Sequence, residues 1–449
     1  MSQGYRVVIE TFDLKDDGIN SRQIIKSQAI SEPKSLEQLG FNHKEQIELL
    51  HQIQDILISN QSELIQTETE CPKCRAKTNS SGNVPSNFHA VFTDHKIKIR
   101  RRICRECGWQ SKSTVFKLFG SSSHPDLMKL QCELGANMSF KEAESRLTQQ
   151  CCGYRRANNH NNIKEVTHKV GETLSTKKQA PISESKIKSP SPKELVLQID
   201  GGHLKDKAVD KRSFEALAMK IYAPKNVIRM DKNHTRIKEK SCVASALDDN
   251  QRSMKKLALY AAKQQGMTEE TTVIALADGA KNCWRVTSYL KKHCASITEI
   301  LDWFHIALKF QPLISALKEE QSDLAEHAKW RIWHGDLKIG LEKLSALKQA
   351  VDNRQHRYKI EDLYRYLNEN KSKIVDYSAR KKSGLIFTSH IAESTVEHLI
   401  NRRAKKNQKM QWTREGAHNV LQIRASQASN DWDNIWDEVW PELGSYGYR

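Results

Sequence analysis

The sequence predicts a multidomain α+β protein in which small modules precede a larger α/β domain. A chain of 449 residues has the length of about two to four domains. Two Cys-x-x-Cys pairs lie within residues 71–107, and after residue 194 apolar runs typical of buried strands alternate with helical patterns. Residues 176–193, rich in proline, serine and lysine, are the predicted linker between the two parts.

The chain is strongly basic. It has 72 Lys and Arg residues against 54 Asp and Glu, a formal charge of +18. This excess favours a polyanionic partner, because each neutralised phosphate releases condensed counterions; a merely basic surface is the plainer alternative. No run approaches the roughly 20 apolar residues of a membrane span. The start, MSQGYRVVIETFDLKDDG, has acidic residues where a signal peptide needs apolar ones. We therefore expect a cytoplasmic protein.

Residues 1–65 predict an N-terminal helical element. The run YRVVIETF has the pattern of a strand, and apolar residues from about position 42 to 64 fall on one broad helical face. No motif in this segment indicates a function.

Residues 66–120 carry the four paired cysteines Cys71, Cys74, Cys104 and Cys107. The segment between the pairs, FHAVFTDHKIKIRRRIC, alternates like a hairpin, and four thiolates complete a closed tetrahedral zinc site. We predict a zinc ribbon with one structural Zn²⁺. Reduced cysteines or a redox Cys-x-x-Cys pair are the alternatives, although redox motifs accompany a βαβ unit, which this segment lacks.

Residues 121–175 predict helices arranged as a DNA-binding helix-turn-helix. Ser139 and Glu142 have the spacing of a capping box at the start of one helix, and Gly153 lies in the following turn. Polar and basic residues of the turn and of the second helix are the candidate DNA contacts: Arg155, Arg156, Asn161, Asn162, Lys164 and His168. The alternative is a helical connector without a DNA partner.

Residues 194–310 have the element order β-β-β-α-β-α-β, which is typical of an RNase H-like α/β core. Its predicted strands are ELVLQID, FEALAMKIYAP, CVASAL, TVIALAD and ITEILDWFH. Residues 311–385 are helical in pattern, and residues 386–449 contain further helices.

Two aspartates end predicted buried strands. Asp200 follows LVLQI and Asp278 follows VIALA, and each is followed by small residues that leave open space at the sheet rim. Both could simply begin turns. Two-metal phosphodiester chemistry needs about three carboxylates around two Mg²⁺ ions. Downstream, Glu393 and Glu397 lie one helical turn apart, and their spacing does not decide between them.

The same predicted helix becomes basic after the two glutamates. Arg402, Arg403, Lys405 and Lys406 are candidate contacts to the DNA backbone. An ordinary surface helix with acidic residues early and basic residues late is the alternative, because the helix dipole favours that order.

Several segments together resemble the DDE transposases of bacterial insertion sequences, with closest similarity to the Kra-type group and a distant one to Mutator-like transposases. They occur in family order from about residue 70 to 432: CPKC…CREC, QIDGGH, ALADGAKNCW, ILDWFHIALKF, AKWRIWHGD, AESTVEHLINRRAKKNQKMQW and TREGAHNVLQIRA.

The resemblance implies an RNase H-like catalytic core with residues 311–385 as an all-α insertion. It implies Asp200, Asp278 and Glu393 as the catalytic acids and ligands of two Mg²⁺ ions, for which Mn²⁺ can substitute. Asp302 and His305 match an Asp/Cys-x-x-His motif that supports the active site; a strand end packed on the insertion is the alternative.

The implied activity is that of a transposase that binds the terminal inverted repeats of its element and catalyses Mg²⁺-dependent phosphodiester hydrolysis and strand transfer. The implied partners are double-stranded DNA and further copies of the chain, as a homodimer or higher oligomer on DNA, in the cytoplasm at the nucleoid. Two alternatives stay open. One is a non-catalytic DNA-binding regulator derived from a transposase, and the other is an RNase H-like nuclease without strand transfer.

Overall fold

The structure is a computed structural model. It describes residues 3–15, 17–65, 69–181, 191–208, 210, 212–231, 235–389, 395–404 and 410–445. The chain forms two compact units. Unit 1 is Met1–Val170 with Trp436–Arg449, and unit 2 is Gly171–Ile435. The architecture is mixed α/β, as the sequence predicts.

Unit 1 begins with an antiparallel pair, strands β1 (Gly4–Phe12) and β2 (Ile19–Ala29). Helix α1 (His43–Leu64) follows, and a reciprocal capping box between Asn42 and Glu45 fixes its start. Strand β1 and helix α1 agree with the prediction, but β2 was not predicted. Its side chains are mostly exposed on both faces, so its sequence lacks the apolar alternation that reveals a half-buried strand.

Strands β3 (Asn79–His89) and β4 (Asp94–Ile103) form the predicted antiparallel hairpin. Alternate residues of β4 are buried. Its inward side chains join helix α1 and the short helix α2 (Val115–Phe119) in one apolar cluster, whose buried members are Ile58, Ile97, Ile99 and Val115.

Three helices follow: α3 (Pro125–Asn137), α4 (Phe140–Gln150) and α5 (His160–Gln179). The Ser139 hydroxyl accepts a hydrogen bond from the backbone N–H of Glu142, as its predicted capping role requires. A buried cluster unites α4 and α5, and it contains Ala143, Leu147 and Ile163.

The division between the units differs from the predicted boundary. The division lies between Val170 and Gly171, inside α5, and not in residues 176–193. Helix α5 itself continues to Gln179. The second half of α5 packs tightly in unit 2, where a Cβ added to Gly171 would lie 2.2 Å from the Asn419 carbonyl oxygen. Residues 182–190 of the predicted linker lie outside the described residues.

Unit 2 contains a five-stranded sheet in the order β11-β10-β5-β6-β9. Strands β5, β6 and β9 are antiparallel neighbours, whereas β10 and β11 run parallel to β5. The strands of this unit are β5 (Glu194–Lys205), β6 (Ser213–Tyr222), β7 (Val227–Arg229), β8 (Thr235–Ile237), β9 (Ser241–Ser245), β10 (Thr272–Ala277) and β11 (Ser296–Leu301). The short strands β7 and β8 pair with each other.

Helices lie between the later strands of this sheet and after β11 along the chain, and the last of them, α15, extends from unit 2 into unit 1. They are α6 (Arg252–Gln264), α7 (Lys281–Leu290), α8 (Trp303–Ile314), α9 (Glu319–Trp333), α10 (Leu337–Ala350), α11 (Arg354–Glu369), α12 (Tyr377–Lys382), α13 (Arg402–Ala404), α14 (Arg414–Ala428) and α15 (Trp432–Ser445). Residues 311–385 are therefore helical, as predicted. A π-helical turn, Glu397–Asn401, precedes α13.

One apolar core joins the sheet to helices α6 to α12. Leu197 on β5, Ile221 on β6 and Phe310 on α8 all belong to it and are inaccessible to solvent. Helix α11 also reaches the sheet rim, where the Tyr366 hydroxyl donates a hydrogen bond to the Asp278 carbonyl oxygen. Within the described part of the chain, none of the helices has both the length and the apolar character needed to cross a membrane.

Candidate functional site

The four paired cysteines form one cluster. The Sγ atoms of Cys71 and Cys107 lie 3.5 Å apart, and those of Cys74 and Cys104 lie 3.4 Å apart. All four Sγ atoms lie within 4.8 Å of one another. Sulfurs around a tetrahedral zinc ion would be about 3.8 Å apart, from Zn–S bonds of about 2.3 Å. The cluster therefore fits a structural zinc ion.

The hairpin brings the two halves of this cluster together. One Cys-x-x-Cys turn precedes β3 and the other follows β4, so both lie at the same end of the paired strands. Burial opposes ionisation of Cys71, but the backbone N–H groups of Cys74 and Lys73 outweigh it and lower its pKa to about 7. One ligand is thus readily available as the thiolate that zinc requires. We call β3, β4 and the two turns the cysteine hairpin.

Three aspartates follow one another across the parallel part of the sheet in unit 2. Ala277 on β10 pairs with Ile199 on β5 and with Leu301 on β11. Each of these three residues is followed by an aspartate, namely Asp278, Asp200 and Asp302. The register thus brings the three acids to the same level on adjacent strands, which are about 4.8 Å apart.

These acids line a single pocket, called here the acidic pocket. Its described lining is Gln198, Ile199, Asp200, Lys220, Leu276, Ala277, Asp278, Asp302, Phe304, His305, Ser389 and Thr395. The structure therefore brings Asp200 and Asp278 together. Asp278 directly follows the end of β10 and accepts a hydrogen bond from the backbone N–H of Ala280, as a turn-forming aspartate does. The prediction that Asp200 ends its strand is wrong, because β5 continues past it to Lys205 and pairs it with Ala218 on β6.

Burial raises the pKa of Asp200, and the neighbouring charges of Asp278 and Asp302 raise it further, while His305 opposes the shift. The cause is physical crowding of negative charge in a poorly solvated pocket. A cation that entered the pocket would relieve this repulsion.

Asp302 and His305 both face the acidic pocket. His305 Nε2 lies 4.0 Å from Asp200 Oδ2 and 3.9 Å from Asp302 Oδ2. Asp302 is almost completely buried and accepts hydrogen bonds from the backbone N–H of Phe304 and from the backbone and hydroxyl of Ser389. Both interpretations of this pair therefore have support, since Asp302 caps helix α8 and also adds charge to the pocket.

The third predicted acid, Glu393, lies outside the described residues. Thr395, two residues later, lines the acidic pocket. Glu397 is not in the described lining; it lies in the π-helical turn and accepts a hydrogen bond from the Asn401 side chain.

Sequence reasoning missed Lys220, which lines the acidic pocket although it is only 3 % exposed. Strand β6 reads SFEALAMKIY, and a lone lysine near the buried end of such an apolar strand is unusual. That irregularity could have identified it. Ser389, which tethers Asp302, carries no comparable signal.

The predicted DNA contacts in the turn before α5 and on α5 divide into two groups. Arg155 requires a correction, because its guanidinium donates to the carbonyl oxygens of Ala90, Val91 and Thr93 and pairs with Asp94. Arg155 is 8 % exposed and holds the hairpin turn. The prediction that it faces solvent and contacts DNA is therefore wrong. The other candidates, Arg156, Asn161, Asn162, Lys164 and His168, are exposed or half-buried.

The basic candidates near the C-terminus are also only partly available. Arg403 is buried and stacks over the Trp412 ring, contrary to the expectation of an exposed phosphate contact. Arg402 is exposed, as expected of a phosphate contact, while Lys405 and Lys406 lie outside the described residues.

Within the described residues, two sets of three or more metal-ligating side chains have ligand atoms within 4.8 Å of one another: the four cysteines, and His51 with Asp55 and His95. The acids of the acidic pocket do not form such a set without Glu393.

Models of known protein families give no match to this chain, and a search of curated protein sequences also finds no matching protein.

Proposed function

We propose that the protein is a DNA transposase that uses two-metal phosphodiester chemistry, with Asp200, Asp278 and Glu393 as its acids. One observation carries the proposal: Asp200 on β5 and Asp278, directly after β10, lie at the same level of two adjacent parallel strands and line one pocket. Paired carboxylates at an open rim suit hard divalent cations such as Mg²⁺. The resemblance to DDE transposases selects Glu393 over Glu397 as the proposed third acid, and Glu397 is not in the described lining of the pocket.

The topology of unit 2 supports the same proposal. Three antiparallel strands followed by two parallel additions, in the order β11-β10-β5-β6-β9, fit an RNase H-like core. Helices α9 to α12 then occupy the place of the proposed all-α insertion, between β11 and the segment that contains Glu393.

In the proposed reaction, water attacks the phosphorus at the element end and the P–O3′ bond breaks, which leaves a 3′-hydroxyl. That hydroxyl then attacks a phosphorus of the target DNA in line, and the target 3′-oxygen leaves. Bound Mg²⁺ would activate the attacking oxygen and stabilise the leaving oxygen. Asp200 and Asp278 would hold the cations, and His305, which opposes the upward shift of the Asp200 pKa, would favour the ionised form of that carboxyl.

Unit 1 supplies the proposed DNA-reading surface. Arg156 and Asn162 line a polar cleft together with residues of the hairpin, among them Asn87 and Lys96. Asparagine can pair with adenine in the major groove, and arginine or lysine with guanine or phosphate. In the proposed assembly two copies bind the two element ends, which makes the active form a dimer or larger oligomer.

The test uses the full-length protein, Mg²⁺ and labelled DNA that carries the inverted repeats flanking its gene. We expect cleavage that leaves a 3′-hydroxyl, followed by joining to a target plasmid. Asp200→Asn and Asp278→Asn should each reduce cleavage at least 100-fold without loss of DNA binding, because each removes a cation ligand. Glu270→Gln, an exposed acid of the same unit, is the matched control and should cleave normally.

Wild-type cleavage by both aspartate variants would refute the assignment of the acids. Binding to the repeats without any cleavage would favour the non-catalytic regulator, and cleavage without joining would favour a nuclease.

A further inference from the structure

A second cluster of metal-ligating side chains lies where helix α1 meets strand β4. His51 and Asp55 are one turn apart on α1, and His95 is the second residue of β4. His51 Nε2 lies 3.3 Å from Asp55 Oδ2, and His95 Nδ1 lies 2.5 Å from Asp55 Oδ1. The two imidazole rings stack with their centroids 4.9 Å apart.

The cluster continues the apolar seam between the helix and the hairpin. Asp55 precedes the buried Ile58 by about one turn, and His95 lies on the same face of β4 as Ile97 and Ile99. Polar side chains at the end of such a seam need partners, because burial without them costs free energy. The His95 side chain is completely buried, so its partners must come from neighbouring protein groups and not from solvent.

The geometry of His95 suits a metal ligand. Its Nε2 lies 2.6 Å from the Thr93 hydroxyl oxygen, and its Nδ1 faces Asp55. When Thr93 accepts from Nε2–H, the lone pair of His95 is on Nδ1 and points towards Asp55. Such an outer partner typically orients a histidine that ligates a metal.

We propose that His51, Asp55 and His95 hold a Zn²⁺ ion, separate from the cysteine cluster, that fastens helix α1 to the cysteine hairpin. Two imidazoles and one carboxylate are a ligand set that zinc binds and that Mg²⁺ and Ca²⁺ disfavour. In a tetrahedral site with bonds of about 2.0 to 2.1 Å, ligand atoms are about 3.3 to 3.4 Å apart. The His51–Asp55 separation already has this value, and the His95–Asp55 pair would open by about 0.8 Å. Water completes the coordination.

The experiment measures zinc per chain by mass spectrometry, on full-length protein saturated with Zn²⁺ and then dialysed against metal-free buffer. Wild-type protein should retain two equivalents. His95→Gln and Asp55→Asn should each retain one equivalent, the ion at the cysteines. The double variant Cys71→Ser, Cys74→Ser should also retain one equivalent, the ion at the histidines. His43→Gln, a histidine at the start of the same helix, is the control and should retain two.

A second readout assigns each equivalent. Co²⁺ bound by the cysteines gives intense thiolate-to-metal absorption, which should persist in His95→Gln and Asp55→Asn. With zinc present, the backbone amides of helix α1 should exchange faster in those two variants than in the wild type. Since Asp55 is about half exposed, Asp55→Asn reports on the site even where His95→Gln disturbs packing.

One equivalent of zinc in the wild type, unchanged in both variants and lost only with the cysteines, would overturn the proposal. So would a second equivalent that Asp55→Asn and His95→Gln both retain. Neither measurement involves DNA cleavage, so this site and the transposase proposal can fail independently.

Discussion

The cysteine hairpin of unit 1 and the five-stranded sheet of unit 2 have different sources of stability. In the sheet, buried strands and helices share one large apolar core that includes Leu197, Ile221 and Phe310. The hairpin instead packs a few isoleucines against helix α1 and brings four thiols together at its end. A small module with little apolar burial usually needs a metal or a disulfide, whereas a large core does not. The comparison thus predicts that metal removal and core truncation affect different units.

The largest expected effect is loss of the hairpin on zinc removal. Structural zinc contributes about 10 to 16 kcal/mol of binding free energy to small metal-dependent folds. We therefore expect Cys104→Ser, or a strong chelator, to abolish hydrogen-exchange protection in β3 and β4 while β5 and β10 keep theirs. Cys152→Ser, an exposed cysteine outside the cluster, is the control. Full protection of the hairpin after verified zinc loss would break the comparison.

A core truncation should give the reverse pattern. Leu197→Ala on central strand β5 removes a side chain that is inaccessible to solvent and should cost about 2 to 5 kcal/mol. Urea unfolding followed by a probe in unit 2 measures this loss, and zinc content should stay unchanged. Leu308→Ala on α8, half exposed, is the matched control and should cost far less. Equal losses in the two variants would show that the core is not the main source of stability.

Much of the fold could be predicted because the signals were local. Strand β4 alternates buried and exposed residues, and the two runs that precede Asp200 and Asp278 are apolar except for Gln198. Period-2 patterns and long apolar runs report burial directly. The cysteine cluster was equally accessible, since Cys-x-x-Cys spacing by itself presents two thiols to one ion.

The remaining features depend on long-range contacts that sequence spacing does not encode. Arg155 is predicted from its charge to contact DNA, yet three carbonyl oxygens from the turn of the hairpin enclose its guanidinium. The in-register position of Asp302 beside Asp278 follows from strand pairing alone. The last residues of helix α5, 176–179, are polar enough to resemble a linker, but the helix continues through them to Gln179 and buries Lys178.

Two glycines of unit 2 with positive φ differ in the space around them, and one of them, Gly279, directly follows Asp278 of the acidic pocket. Gly279 has φ +97°, and an added Cβ would lie 2.8 Å from the Tyr366 ring. Gly279→Ala should therefore cost about 2 to 3 kcal/mol from backbone strain and the clash together. Gly384→Ala shares the positive φ but has open space around it, so it should show the strain alone. Thermal unfolding of both variants separates the two contributions, and a smaller loss for Gly279→Ala than for Gly384→Ala would contradict the expected clash.

The smallest expected effect is a gain in stability at a buried charge of unit 2. Lys178 on α5 is 4 % exposed, and its amino group donates a hydrogen bond to the Ser426 hydroxyl. Burial lowers its pKa to about 8. Below pH 8 the lysine is charged in both the folded and unfolded states, so the folded protein bears the full cost of burying the charge. Lys178→Met should therefore raise the free energy of unfolding at pH 7 by about 1 to 2 kcal/mol, after allowance for the lost hydrogen bond.

The pH dependence tests the cause of this gain. As the pH rises from 8 towards the ordinary lysine value near 10.4, the folded state loses its proton first, and the wild type gains stability relative to Lys178→Met. The difference between the two proteins should therefore shrink over this range in urea unfolding experiments. The neighbouring Lys177→Met, at a less buried position on the same helix, should show no such trend. A constant difference from pH 7 to 10 would mean that packing, and not charge burial, separates the two proteins.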